Sequence, residues 1–239
     1  MQKVALVTGS ARGLGRAIVL ALPDLGYTPI IHYRRSKNEA QGVLIQVRRK
    51  APNSAIFEAD LTREAEVNKM FEGIFKKYKR VDLLVNNVGN FIYKDFRETS
   101  SVQFIDLIQS NIYATLFCSR AVLPYMRKVK AGQIINIGVV GAERINLLTK
   151  STPYFFAKHG VYLLTKMMAH DEAKYGIHVN MISPASLETD IFKPQDFPMK
   201  RSATYDDVIK VLEFLLSDEA YYINGANIEV AGGFIPGLV

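Results

Sequence analysis

One cysteine, Cys118, stands among 239 residues, so no intramolecular disulfide can form. It lies in an apolar helical stretch, where a small buried core residue is expected. No uninterrupted apolar run approaches the ~20 residues needed to span a bilayer. Nor does the chain open on a charged n-region followed by an apolar h-region, and with no disulfide framework a cytoplasmic location is expected. Internal repeats, low-complexity tracts and Ser/Gly/Pro-rich linkers are missing, which predicts one domain over residues 1–239. The net charge of +7 lacks concentration. Its basic residues are spread as Arg48-Arg49-Lys50, Lys76-Lys77, Lys79-Arg80, Arg127-Lys128 and Lys200-Arg201, mostly near predicted helix ends, where cations complement the helix dipole. Such scatter argues against nucleic acid and fits an acidic or phosphorylated ligand better. No metal site is expected.

What is present is an alternation of short β-branched runs with amphipathic helical patterns. Strands are predicted at about 4–7, 29–33, 55–58, 81–86, 133–137, 178–182 and 227–230. Helices are predicted at about 14–25, 37–50, 64–78, 101–127, 154–174 and 205–216. Gly26, Gly132 and Gly176 stand just before strands, as helix C-caps or turn residues should. This order predicts a doubly wound α/β domain, a parallel sheet of about seven strands with helices on both faces. Ligands of such sheets bind outside the carboxyl ends of the strands, so the residues after each strand are the informative ones.

The first strand runs straight into Thr8-Gly9-Ser10-Ala11-Arg12-Gly13-Leu14-Gly15. Glycines at a strand-to-helix turn let backbone amides approach a pyrophosphate, which the helix N-terminus faces with its partial positive charge. The spacing is Gly-x-x-x-Gly-x-Gly, not the standard Gly-x-Gly-x-x-Gly. The second strand ends in Tyr33-Arg34-Arg35-Ser36-Lys37, with no acidic residue between Thr28 and Asn38. An NAD site usually places an acid there for the ribose 2′-hydroxyl. Arginines instead grip a phosphate, and Arg12 adds a cation, so NADP(H) is expected. Solvated surface charge is the plain alternative for Arg34, Arg35 and Lys37.

The glycine turn, Asn86-Asn87-Val88-Gly89, Asn111, Tyr154/Lys158, Ser183-Pro184 and the tail from Tyr222 to Gly233 resemble, in order, the short-chain dehydrogenase/reductase family. The match spans essentially the whole chain and is closest to 3-oxoacyl-(acyl-carrier-protein) reductases. His32 to Ser36 and Pro52-Asn53-Ser54-Ala55 also resemble pteridine reductases. The resemblance implies a Rossmann-type fold and cofactor contacts at Gly9, Ser10, Arg12, Gly13, Leu14, Gly15, Tyr33, Arg34, Arg35, Ser36, Asp60, Leu61, Asn87, Val88, Gly89, Tyr154, Lys158 and Thr189. For Asp60, a helix N-cap with the helix beginning at Thr62 competes with an adenine contact. Catalysis is implied at Tyr154, Lys158 and Asn111. Tyrosine and lysine four apart share one helical face, and the ammonium is expected to lower the tyrosine pKa. Tyr33/Lys37 and Tyr162/Lys166 share that spacing, but only Tyr154 starts a helix right after the sheet's carboxyl edge. The implied role of Asn111 is to bend its helix and hold a water in a proton relay; a solvent-facing asparagine is the alternative.

Three departures stand out. The family serine that bonds the substrate carbonyl aligns with Val139 by strand or Gly141 by count, and Gly138-Val139-Val140-Gly141-Ala142 is wholly apolar. Glu143, Asn146, Ser151 and Thr152 follow, of which Ser151 or Thr152 is the proposed replacement. Pro184-Ala185 replaces a Pro-Gly, and a short segment of residues 190–197 stands where a longer helical lid is usual. Three functions are compatible: reduction of a 3-oxoacyl thioester in fatty acid biosynthesis, with acyl carrier protein as partner; reduction of a dihydropteridine or small ketone; or NADP binding with weak or no catalysis. A homotetramer through helices 101–127 and 154–174 is implied by the resemblance.

Overall fold

The computed structural model describes residues 2–145, 150–187 and 193–236. Seven parallel strands, β1 (Lys3–Val7), β2 (Tyr27–Tyr33), β3 (Ala55–Glu58), β4 (Leu83–Asn86), β5 (Gly132–Ile137), β6 (Ile177–Pro184) and β7 (Asn227–Val230), form one sheet. Its order is β3-β2-β1-β4-β5-β6-β7, so the winding reverses between β1 and β4. Alternate residues feed two cores. Ala5, Val7, Ile31, Val85 and Ile135 point to the face covered by α1 (Gly13–Ala21), α2 (Lys37–Arg48) and α7 (Tyr205–Leu216). Val4, Leu6, Ile30, Leu84 and Ile134 point to the face of α3 (Glu64–Tyr78), α5 (Ala114–Val129) and α6 (Thr152–Glu172). The period of two that reads as strand is therefore what assigns each side chain to its layer.

Most predicted elements stand where expected, and the differences have local causes. β2 starts at Tyr27, leaving Pro29 inside the strand. It is tolerated because β3 pairs only from Ile30 onward, so the missing amide costs no ladder bond. The helix expected over 101–127 is divided: α4 (Ser101–Leu107), a π-helical segment Ile108–Tyr113, then α5. Gly26 and Gly176 do cap, both left-handed. Gly132 does not: Lys130 takes the left-handed turn after α5, while Gly132 opens β5 because Met126 fills the space a side chain would need. Basic residues sit in the last turns of α2, α3 and α5, as the helix dipole favours.

Candidate active site

At the winding reversal the ends of β1 and β4 are laced together. Thr8 Oγ1 accepts the amides of Asn87 (2.8 Å) and Val88 (3.1 Å). Asn87 Nδ2 donates back to the carbonyls of Thr8 (2.9 Å) and Gly9 (3.3 Å). Gly9 and Gly13 are left-handed, at φ +63° and +56°. A Cβ on Gly15 would lie 2.6 Å from the Gly9 carbonyl and 2.7 Å from Asn87 Nδ2, so only glycine lets α1 start this close to the turn. Arg12, the N-cap residue of α1, makes no side-chain cap, and the first-turn amides keep their donors for an anion.

Two residues expected at the cofactor turn inward. Ser10 is fully buried; its Oγ donates to the Val7 carbonyl (2.8 Å) and accepts the His32 amide (3.1 Å). Tyr33 is a core residue whose hydroxyl donates to Glu58 Oε2 at 3.0 Å. Each is thus a staple of the turn and strand, with its side chain committed to the protein. Arg34 and Arg35 are exposed, and Arg34 lies 3.8 Å from Asp60. Asp60 is no helix cap: α3 begins at Glu64, and Asp60 Oδ1 instead accepts the Thr62 amide (3.0 Å) and hydroxyl (2.7 Å). Leu61 beside it is buried. Thr189 and Asn146 lie outside the described residues.

Asn111 is fully buried in the π-helical segment rather than facing solvent. Its Nδ2 donates to the carbonyls of Leu107 and Asn90, each at 3.0 Å, and its Oδ1 has no partner among the described residues. Such segments recur at functional sites because the extra residue re-aims a side chain. Gly89 leaves open the space where Asn111 Oδ1 and Lys158 Nζ converge, since a Cβ there would meet both.

Lys158 Nζ donates to the Ile137 carbonyl (2.8 Å) and lies 5.8 Å from the Tyr154 ring centre. Phe91 packs edge-on against that ring at 4.9 Å. Burial lowers the Lys158 pKa to about 8. Burial also raises the Tyr154 pKa, opposite to the lowering expected from the ammonium. Desolvation of the phenol is the cause of that rise. Tyr162, with Lys166 at 5.5 Å from its ring, sits two turns further along α6, away from the strand ends.

The apolar stretch after β5 offers no hydroxyl. Val140 and Ala142 are buried, and the Gly141 amide donates to Glu229 Oε1 at 2.6 Å. Glu143 accepts from Asn227 Nδ2 at 3.2 Å, toward β7. Ser151 is left-handed at φ +69°, bonds its amide to the Lys94 carbonyl (2.8 Å), and buries an Oγ with no partner among the described residues. Sequence reasoning gave no role of its own to His32, whose two ring nitrogens bond Gly9 and Ala59. A histidine in an otherwise apolar, two-faced strand was the available signal, since a buried imidazole needs partners.

A glycine turn at the switch point of a doubly wound sheet, with a tyrosine–lysine pair at the neighbouring strand end, defines a dinucleotide-dependent oxidoreductase. The chain belongs to the short-chain dehydrogenase family, whose model matches residues 3–198. It is 33% identical over 246 aligned residues to the 3-oxoacyl-(acyl-carrier-protein) reductase FabG of Staphylococcus epidermidis, covering 98% of this chain and 99% of the relative. Among solved structures, ElxO with NADP bound superposes with a TM-score of 0.90 at 29% identity, covering 98% of each chain. A gluconate 5-dehydrogenase from Burkholderia cenocepacia, in complex with NADP and tartrate, has a TM-score of 0.89 at 26% identity, covering 97% of this chain and 94% of that one.

Proposed function

We propose that this chain is an NADPH-dependent carbonyl reductase whose substrate is a 3-oxoacyl thioester carried on an acyl carrier protein. The observation that carries the reading is the placement of Tyr154 and Lys158 at the start of α6, against the end of β5, next to β4, whose end is laced to the glycine turn. Fit to the dinucleotide is supported by the uncapped α1 amides and by the exposed cations Arg12, Arg34 and Arg35. In this reading Gly9, Gly13, Leu14, Gly15, Asn87, Val88 and Gly89 line the crevice, and Asp60 and Leu61 border its adenosine end.

When bound, the reduced nicotinamide supplies hydride. Tyr154 gives the substrate oxygen a proton, and the burial that raises its pKa keeps it protonated for that role. Lys158, held by the Ile137 carbonyl, fixes the charge beside the ring, and Asn111 Oδ1 lines the path of proton return. The apolar stretch 138–142 lacks a donor for the developing oxyanion, a loss of about 2.7–4 kcal/mol or roughly a hundred- to a thousandfold in rate. Ser151, three residues before Tyr154 and with a hydroxyl that has no partner among the described residues, is the proposed replacement.

The basic surface suits an acidic carrier protein. Exposed Val102 and Ile105 on α4 and Phe156, Leu163 and Met167 on α6 suit a homotetramer built on those helices. No helix among the described residues is long and apolar enough to cross a membrane, which suits a cytoplasmic enzyme. A second reading, a dihydropteridine or small-ketone reductase, is favoured by the sequence likeness at His32 to Ser36 and by the short segment of residues 190–197.

A panel following NADPH oxidation with an acetoacetyl thioester, a dihydropteridine and simple diketones tests this. Turnover of the thioester supports the reading, and preference for another member moves the assignment there. Tight NADPH binding with no turnover marks a dinucleotide-binding protein without the chemistry.

A further inference from the structure

Resting on the dinucleotide reading above, we infer that His32 is a positioning residue: its neutral imidazole sets the shape of the glycine turn by accepting the Gly9 amide. Gly9 N–H donates to His32 Nδ1 at 2.9 Å, so that nitrogen carries no proton. The proton therefore sits on Nε2, which donates to the Ala59 carbonyl at 3.0 Å. One side chain thus joins the ends of β1, β2 and β3. Ser10 closes the same junction, with its amide on the His32 carbonyl (3.0 Å) and its Oγ on the His32 amide (3.1 Å).

The consequence lies in which amides remain for a phosphate. Gly9 is the first glycine of the turn, and its amide is directed into the protein, on the imidazole. The donors left to face an anion are those of the first turn of α1, where Arg12 supplies no side-chain cap. Without an acceptor at the Nδ1 position, Gly9 N–H would be a buried donor with no partner. The turn relieves that by rotating a peptide, which shifts the amides beyond it. Asp60, after β3, and Arg34, at the end of β2, are the charged groups facing the ring and pull its protonation in opposite directions. His32 is itself only 2% exposed, so it acts on the ligand through the turn, without touching it.

Binding of NADP⁺ to the full chain, measured by calorimetry at pH 7.5 alongside the melting temperature, tests the inference. H32N keeps an acceptor where Nδ1 stands, while H32Q moves it toward the Nε2 position and H32L removes it. H32N is expected to bind within about twofold of the wild type, whereas H32Q and H32L lose at least about tenfold, the worth of one displaced hydrogen bond. Equal affinity of wild type, H32Q and H32L overturns the inference, even where their melting temperatures fall. Loss in H32N as large as in H32L also overturns it, because the acceptor would then not be what matters. Wild type that binds no dinucleotide overturns the dinucleotide reading instead. If H32L does not fold, the H32N/H32Q pair decides.

Discussion

The two ends of the crevice are built on opposite plans. At the dinucleotide end, Thr8, Ser10, His32 and Asn87 commit their polar atoms to the turn, and apart from the local Ser10 Oγ bond to the Val7 carbonyl these bonds run between different strand ends. At the substrate end, the stretch after β5 is apolar, Glu143 turns toward β7, and Ser151 buries a hydroxyl that bonds nothing described. Polar groups inside a protein are rigid when each is satisfied and costly when one is not. The first end is therefore pre-set for its ligand, while the second, on the proposed reading, has Tyr154 as proton donor and no side-chain oxyanion donor in the stretch after β5.

The largest expected effect tests whether the proton donor works despite that gap. Tyr154→Phe should lower turnover about 10²–10⁴-fold with NADPH affinity retained, read from kcat on the substrate that the panel identifies. A variant that keeps its rate would mean that the substrate end uses another acid. Next in size is V139S, which places a hydroxyl where the strand alignment puts the family serine. Turnover should rise by up to about a hundredfold if the missing donor limits the rate. No gain, together with a loss in Ser151→Ala, would show that Ser151 already serves and would remove the contrast between the two ends.

Legibility in the sequence follows the same division. Strand and helix positions, the glycine turn and the Tyr154/Lys158 pair were readable because each leaves a local signature: a period of two, a glycine spacing, a shared helical face. Ser10 and Tyr33 were assigned to the cofactor because a sequence position at a strand end does not say which way the side chain turns. The split of helix 101–127 was partly legible, since Asn111 is a poor helix former, but nothing local announces a π segment. The upward shift of the Tyr154 pKa was not legible, because burial is a property of the packed fold. His32 has a role only through partners from β1 and the end of β3, 23 and 27 residues away in sequence.

Acid should weaken the dinucleotide end through His32. Burial pushes the His32 pKa down to about 4 from 6.5. Between those values the unfolded chain binds a proton that the folded chain does not, so this stabilisation is full above about pH 6.5 and is lost as pH falls toward 4. The loss should reach roughly 2 kcal/mol by pH 5. Denaturant midpoints of wild type and H32N from pH 7.5 to 5 isolate it, because the carboxylates common to both cancel. The wild-type curve should fall more steeply, and parallel curves would mean that His32 is not held neutral by the turn.

The smallest effect concerns what the pre-set end selects. Arg34 is exposed and within 3.8 Å of Asp60, so a ligand phosphate must compete with that carboxylate for the guanidinium. A solvent-exposed pair at that distance is weak, on the order of 1 kcal/mol or less, while a bidentate phosphate contact is stronger. Arg34→Asp removes the cation and adds an acid of the type that bonds a ribose 2′-hydroxyl. The ratio of kcat/KM for NADPH over NADH should fall by about tenfold or more, from both a weaker NADPH and a stronger NADH interaction. An unchanged ratio would move the 2′-phosphate to Arg12 or Arg35, both exposed at the same mouth. A fall caused only by NADPH, with NADH unaltered, would place Arg34 on the phosphate but leave the new carboxylate out of reach of the ribose.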